Sequence, residues 1–199
     1  MHSTGLTRRQ VFLATLGSVA STASTSKART PSGGPIVVTA DRFLTYGNLR
    51  VPCVVGYKGI TSEKREGDGA TPAGRFPLRQ LMYRADRLAH VETALPTSKL
   101  GREDAWCDDP KRKEYNTLVR LPFTGHRELL WREDHLYDVL IVLGYNDSPV
   151  VPGRGSAIFL HVASPRLAIT NGCIAITMAA LLEVARDCDT RTVVDVAVT

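Results

Sequence analysis

Long apolar runs, clustered cysteines and a strong excess of charge are all missing from this 199-residue sequence. No stretch reaches the roughly 18 apolar residues of a membrane-spanning helix, so no stable membrane span is expected. The net charge is +5, but residues 1–28 hold three basic residues and no acidic one, which leaves only +2 on the rest. Because that remainder has no basic run interleaved with aromatic residues, nucleic acid is not an expected partner.

The four cysteines, Cys53, Cys107, Cys173 and Cys188, lie far apart, and no Cys-x-x-Cys pair occurs. This scatter does not match the ligand spacing of a zinc site. The glycine-rich residues 64–74 lack the Gly-Lys-Ser/Thr of a phosphate-binding loop, and their acids do not follow the spacing of a calcium loop. The sequence therefore implies neither a metal nor an organic cofactor, and it predicts a tight loop at residues 64–74.

Residues 1–28 have the order of an export signal. Arg8 and Arg9 precede an apolar stretch, and small residues then lead to possible cleavage after Ala23 or Ala28. This order predicts export to the periplasm, and the paired arginines favour the twin-arginine route. The alternative is a short amphipathic helix on a cytosolic protein. In an exported protein two of the cysteines can form a disulfide, but the pairing cannot be read from sequence.

The chain after this leader suits one domain. Residues 29–35 form a linker rich in Pro, Gly and Ser, and residues 36–199 are the right length for a single core. Short apolar and β-branched runs, which are typical of strands, recur along the domain. Strands are predicted at 36–39, 51–55, 75–78, 136–145, 157–162, 174–176 and 192–198.

Helical signals are fewer. Thr177 is predicted to cap a helix over residues 178–188. Residues 81–95 are interpreted as a helix or an insertion, and 104–116 as a solvated loop whose aromatics can also line a groove. Many short strands with a few short helices predict a mainly β sandwich or barrel.

The stretch from Ile158 to Thr177 holds the residues with the clearest chemistry. His161 closes an apolar strand, and Cys173 follows a glycine at the start of the next one. Glycine at position 172 allows the unusual dihedrals and close backbone approach that such a turn needs. A histidine on a neighbouring strand can take the thiol proton, as nucleophilic cysteine catalysis requires. The competing interpretation is a buried cysteine and a core histidine without chemistry.

These residues resemble a known signature. His161 followed by Thr-Asn-Gly-Cys-Ile is similar to the motif of the YkuD-type L,D-transpeptidases, and the resemblance covers roughly residues 36–199. It departs from the family at Asn171, where many members have histidine, and at Ala175, which replaces a common arginine. The other segments that resemble one branch of this family are 64–74, 106–110, 115–116 and 153–156.

The resemblance implies a YkuD-like β-sandwich or barrel and a site that cross-links peptidoglycan stem peptides through a thioester. The implied catalytic residues are Cys173 as nucleophile, His161 as general base and the Gly172 amide as an oxyanion donor. Asn171 can orient His161, help to hold the oxyanion or only shape the turn. The candidate substrate-binding residues are Arg154, Tyr137 and Thr170. The alternative for Arg154 is a solvated charge on a loop, without a role in binding.

Three functions remain open from the sequence. The first is an exported transpeptidase, with L-alanine–diaminopimelate links favoured because the resembling branch makes them and because position 175 is alanine. The second is a hydrolase, either a carboxypeptidase or an amidase, that uses the same cysteine and gives the acyl group to water. The third is a noncatalytic wall-binding module. The oligomeric state cannot be predicted from the sequence.

Overall fold

The computed structural model describes residues 1–2, 34–164 and 169–198. Most of the predicted export signal and linker therefore lies outside the described residues. Of the described residues, no helix is both long enough and apolar enough to cross a lipid bilayer.

Within the described residues, the domain consists mainly of one nine-stranded sheet. Two smaller sheets and one helix complete it. The strands of the large sheet are β1 (Ile36–Val38), β2 (Phe43–Tyr46), β3 (Leu49–Pro52), β6 (Gly74–Tyr83), β7 (Thr97–Lys99), β11 (Val139–Leu143), β12 (Phe159–Val162), β13 (Ile174–Ile176) and β14 (Val193–Val196). The small sheets hold β4 (Ile60–Thr61) with β5 (Thr71–Pro72), and β8 (Asp104–Cys107) with β9 (Leu118–Arg120) and β10 (Arg127–Leu129). The helix is α1 (Met178–Asp187).

The large sheet curls into a nearly closed barrel. Its strand order is β13-β12-β11-β6-β14-β1-β2-β3, with β7 added beside β6. Just after β3, Val54 and Ala175 exchange two backbone hydrogen bonds of 2.8 Å, which brings the two ends of the sheet together. The prediction of a mainly β sandwich or barrel is confirmed.

Side chains alternate between the two faces of the sheet, because successive residues of a strand point to opposite sides. One face forms the main core, which includes Leu160 and Ile174 together with Leu181 of α1. The opposite face forms a second, smaller core that includes Phe159 and Cys173. The side chains of His161 and Cys173 therefore point away from the main core.

The three-stranded sheet, which is called the small sheet from here on, packs on this second face. Trp106 of β8 lies edge-on to Phe159, with ring centroids 5.3 Å apart, and Tyr137 does the same at 5.9 Å. Residues 104–107 are all buried, so the prediction of a solvated loop at 104–116 is wrong there, although the aromatics do form a wall. Strands of three or four residues are too short to show a clear period in the sequence.

Other local predictions had mixed outcomes. The strand predicted at 51–55 begins earlier, as β3, and pairs with β2 in a hairpin closed by the two-residue turn Gly47–Asn48. The helical alternative for residues 81–95 is wrong, because the stretch begins as the end of β6 and then contains no helix. Thr177 caps α1 as predicted, since its hydroxyl accepts a 3.4 Å hydrogen bond from the Ala180 amide.

No disulfide joins the four cysteines, all of which are described, free and buried. Cys53 and Cys188 belong to the main core, whereas Cys173 belongs to the second core under the small sheet. The structure therefore separates Cys173 from these two cysteines by the thickness of the sheet.

Candidate active site

The parallel pairing of β12 with β13 sets the geometry of the site. Leu160 is in register with Ile174, and His161 is in register with Ala175. Partners in register point to the same side of a sheet, and the side changes at each residue. His161, Cys173 and Ala175 therefore share the face that the small sheet covers.

The sulfur of Cys173 is held by the backbone of the preceding strand. The Phe159 amide donates to Sγ at 3.4 Å, and the thiol donates to the Ala157 carbonyl at 3.1 Å. Ala157 has a positive φ of 53°, and this irregular backbone precedes β12 directly. The nucleophile candidate is thus fixed in a definite position even without substrate.

The turn before Cys173 requires glycine. Gly172 has a φ of 139°, and a Cβ there would lie 2.8 Å from the Ala70 carbonyl oxygen. The Thr170 hydroxyl closes the turn by donating to the Cys173 carbonyl at 2.6 Å and accepting from the Gly172 amide at 3.2 Å. Thr170 therefore stabilises the turn, and the Gly172 amide already has a hydrogen bond in the free protein.

His161 is oriented by the backbone. Its Nδ1 lies 2.9 Å from the Val162 carbonyl oxygen, which only accepts, so Nδ1 carries the proton and Nε2 is left as the basic nitrogen. The ring also meets Tyr137 edge-on at 5.2 Å. Burial lowers the pKa of His161 to about 4. The imidazole is neutral at pH 7 and has the tautomer that a general base needs.

The thiol is also neutral at rest. Burial raises the pKa of Cys173 to about 12, and the hydrogen bond from Phe159 only partly offsets this effect. No hydrogen bond joins His161 to Cys173 in the described structure; the polar partners of both side chains are backbone groups. Many catalytic environments depress the pKa of a cysteine thiol. The effect is opposite in the free protein, because the three-stranded sheet and the thiol's own strand exclude water from the sulfur.

The remaining predicted site residues divide into buried and exposed positions. Tyr137 is buried against the His161 ring and belongs to the same small core as Cys173. Asn171 and Arg154 are exposed. Arg154 lies on the loop that holds Gly155, and its backbone carbonyl accepts from the Tyr145 hydroxyl. Roles for Asn171 and Arg154 in orientation and substrate binding remain predictions.

A network of polar groups near the turn was not predicted from the sequence. The carboxylate of Glu66 accepts hydrogen bonds from the Ser156 hydroxyl, at 2.6 Å, and from the Tyr115 hydroxyl. Lys64 is also buried, with 7% of its surface exposed. Residues 64–74 had been singled out as glycine-rich, but no periodicity rule indicates that a lysine and a glutamate in such a loop point inward.

A cavity of about 250 Å³ lies on the same side of the sheet as the candidate site. Its wall includes Phe159, whose amide contacts the Cys173 sulfur, as well as Trp106 and Asn116. Asn116 is fixed there, because its Oδ1 accepts from the Trp106 indole and from the Ala157 amide. The cavity is therefore rigidly framed and adjoins the strand that carries the sulfur.

Across the described ranges, no group of histidine, cysteine and acidic side chains is arranged to hold a metal ion.

His161 is expected to make the folding free energy pH-dependent. Its pKa in the folded state, about 4, lies below the unfolded value of 6.5. Because the pKa is lower in the folded state, the contribution of neutral His161 to the free energy of unfolding is fully present above pH 6.5. It is lost as the pH falls towards 4. From pH 6.5 to 4 this loss amounts to about 3 kcal/mol. Urea unfolding of wild type and His161→Gln at several pH values across this range measures the loss. An equal dependence of the free energy of unfolding on pH in the two proteins would contradict the prediction.

Comparisons with known proteins place the chain among similar sequences and folds. The family model of the YkuD L,D-transpeptidase catalytic domain matches residues 36–196. No curated protein sequence matches the chain.

Solved structures similar to the chain include two of the helical cell shape determining protein Pgp2 from Campylobacter jejuni. A point mutant of Pgp2 shares 15% identity with a TM-score of 0.44, over 84% of this chain and 47% of that one. The second Pgp2 structure shares 15% identity with a TM-score of 0.41, over 87% of this chain and 52% of that one. The chain thus spans about half the length of these structures.

Proposed function

Because this chain belongs to the YkuD family of L,D-transpeptidase catalytic domains, we propose that it is an exported cysteine transpeptidase that cross-links peptidoglycan stem peptides. The observation that carries the proposal is the geometry of the Cys173 turn. The sulfur is held by two backbone groups next to the strand of His161, on the same face of the sheet. A buried cysteine that only filled space would not need a glycine turn of this geometry in front of it.

In the first step the Cys173 sulfur attacks the carbonyl carbon of a donor stem peptide. The thiol proton passes to Nε2 of His161, and a tetrahedral intermediate forms. Its collapse breaks the carbon–nitrogen bond, and the leaving amine takes the proton from the imidazolium. The products are a thioester on Cys173 and a released amine, with His161 neutral again.

In the second step an amine of another stem peptide attacks the thioester. His161 takes a proton from the attacking nitrogen and returns it to the sulfur as the carbon–sulfur bond breaks. The new amide is the cross-link, and the free thiol is regenerated. No redox step or external energy source is required, because one amide bond replaces another.

Backbone amides of the turn are suited to stabilise the oxyanion of each tetrahedral intermediate. A donor of this kind contributes about 2.7–4 kcal/mol in comparable sites. The amide of Gly172 now donates to the Thr170 hydroxyl, so it would be shared with the oxyanion or exchanged for it on substrate binding. Thr170 would then act by holding the turn and not by contacting the substrate.

The resting protonation states shape this mechanism. With thiol and imidazole both neutral, an ion pair is not preformed, and proton transfer accompanies attack on the bound substrate. The thiol must also exchange its hydrogen bond with the Ala157 carbonyl for one with His161. We therefore propose that the nucleophile is activated by substrate binding.

The bond that is formed is proposed from the resemblance alone. Alanine at position 175 favours L-alanine–diaminopimelate links over the usual links between two diaminopimelates. Ala175 is 2% exposed and pairs with both His161 and Val54. The absent arginine therefore does not leave an open space beside Cys173. A change of donor specificity would have to come from the lost charge.

Incubation of the mature protein with purified sacculi tests the activity. Muropeptide dimers that form only in its presence are expected, and tandem mass spectrometry should place the new amide at L-alanine. Dimers linked only through two diaminopimelates would contradict the proposed bond type but keep the transpeptidase. Release of peptides without dimers would identify a hydrolase, and unchanged sacculi would indicate a noncatalytic wall-binding module.

Export to the periplasm is proposed from the leader, most of which lies outside the described residues. Replacing Arg8 and Arg9 by lysine is expected to leave an uncleaved precursor in the cytoplasm, because the twin-arginine route reads that pair. Cell fractionation and mass measurement of the mature N-terminus, expected after Ala23 or Ala28, check this. Normal processing of the lysine variant would instead indicate the general secretory route.

A further inference from the structure

Lys64 lies in an unusual place for a lysine. Its side chain is 5% exposed, although an ammonium is rarely buried unless it is paired. Nζ donates to the Arg65 carbonyl at 3.0 Å and to the Asp68 carboxylate at 2.5 Å. An ammonium has three donors, and within the described ranges no protein acceptor takes the third. Among the described residues, the ammonium therefore has one carboxylate partner, Asp68, and one N–H donor that remains available.

Two glycines make room for this side chain. A Cβ on Gly155 would lie 3.0 Å from Cε and Cγ of Lys64, so the aliphatic stem passes directly over that glycine. A Cβ on Gly172 would lie 3.5 Å from Nζ. The ammonium is therefore placed against the turn that immediately precedes Cys173.

The loop that carries Lys64 also braces the turn. Asp68 accepts hydrogen bonds from the Arg65 amide at 2.7 Å and from the Ala70 amide at 2.9 Å. The Ala70 carbonyl in turn makes the close approach to Gly172 described above. The position of the ammonium relative to the turn is thus fixed by the same short loop.

We propose that Lys64 is a positioning residue of the active site, whose buried ammonium stabilises the negative charge that develops on Cys173 and on the acyl oxygen during transfer. The inference rests on the proposed function. Two charged groups outside the turn act on the sulfur: Glu128 raises the pKa of Cys173, in the same direction as burial, and Lys64 lowers it. Lys64 is the cation that favours the thiolate.

The alternative is that Lys64 only links the loop together. Both roles predict some loss of activity when the side chain is removed, so activity alone does not separate them. A structural role predicts equal changes in reactivity towards neutral and anionic reagents. An electrostatic role predicts a larger loss with the anionic one.

The test compares alkylation of Cys173 by iodoacetamide, which is neutral, and by iodoacetate, which is anionic and nearly the same size. The ratio of the two rates, measured at one pH by mass spectrometry of the Cys173 peptide, cancels both the thiolate fraction and steric access. Lys64→Met is expected to slow iodoacetamide about tenfold, which corresponds to one pKa unit. It is also expected to lower the iodoacetate-to-iodoacetamide ratio about fivefold.

Lys58→Met is the matched control. The Lys58 backbone amide donates to the Gly69 carbonyl of the same loop, and its side chain is exposed. Lys58→Met therefore changes the net charge by the same amount, but at a position in solvent. Its ratio should equal that of the wild type. An unchanged ratio in Lys64→Met, or an equal fall in Lys58→Met, would overturn the inference.

Removal of Lys64 leaves the Asp68 carboxylate without its ion-pair partner, and that variant can fail to fold. The double variant Lys64→Met/Asp68→Asn removes both charges, and it is expected to show a smaller fall in ratio than Lys64→Met, because a carboxylate that repels iodoacetate is removed as well. A folded double variant with the wild-type ratio would also overturn the inference. The assay needs no peptidoglycan, so its outcome is independent of whether sacculi yield dimers. A lowered ratio without dimers would reject the proposed function and keep the charge effect.

Discussion

Replacing Cys173 by alanine is expected to abolish dimer formation from sacculi, with a fall of at least about 10⁴-fold in the rate of acyl transfer. The proposed mechanism passes every acyl group through the sulfur, and alanine offers no atom that can form the intermediate. The fold should persist, because the change removes one buried sulfur from the smaller core and leaves the main core intact. The measurement is muropeptide analysis together with a thermal melt.

Cys188→Ala is the matched control for this variant. Cys188 is buried in the main core, with its thiol directed at the Ala185 carbonyl at 3.6 Å, and it follows a helix and not a glycine turn. We expect that variant to lose stability without losing chemistry, and the same holds for Cys53→Ala and Cys107→Ala. A folded Cys173→Ala protein that still forms dimers would end the proposal of a cysteine transpeptidase.

Replacing His161 by glutamine is expected to lower the rate of acyl transfer by about 10²–10⁴-fold, which is the usual contribution of a positioned general base. Glutamine keeps a polar side chain that can donate to the Val162 carbonyl, but it cannot accept the thiol proton. Single-turnover formation of the thioester, followed by intact mass, separates this step from the later attack by the amine.

The control is His126→Gln. His126 is exposed and paired with Asp108 at 2.6 Å on the small sheet, so its loss changes a surface ion pair only. Because His161 and Cys173 share no hydrogen bond at rest, His161→Gln should leave slow alkylation of the free thiol almost unchanged. Thioester formation at the wild-type rate in His161→Gln would make His161 a structural residue.

Much of the site could be predicted from the sequence because it depends on local chemistry. The Gly172–Cys173 pair and the nearby apolar strands indicate a nucleophile at the mouth of a sheet, and glycine is required there by a φ that other residues avoid. The cap at Thr177 is likewise a property of one hydroxyl and one turn of helix. Such features need no knowledge of the rest of the chain.

The errors concern features that depend on distant partners. Residues 104–107 read as a polar loop, but they form a buried strand because the small sheet covers the second face of the large one. The pKa of the Cys173 thiol depends on the same partners, since it is raised because this cover removes water from the sulfur. Burial is a property of two packed sheets, and neither sheet alone contains that information.

The sequence by itself determined the mainly β character of the domain, since short-range pattern suffices for that, and it predicted Cys173 as nucleophile and His161 as base from residue type and the family motif. Only the tertiary structure decided that Lys64 lies between Gly155 and Gly172, and that thiol and imidazole are both neutral at rest. The reason is physical: the energy of a charge depends on the water and the partners within a few ångströms, and folding brings these together from residues more than a hundred positions apart.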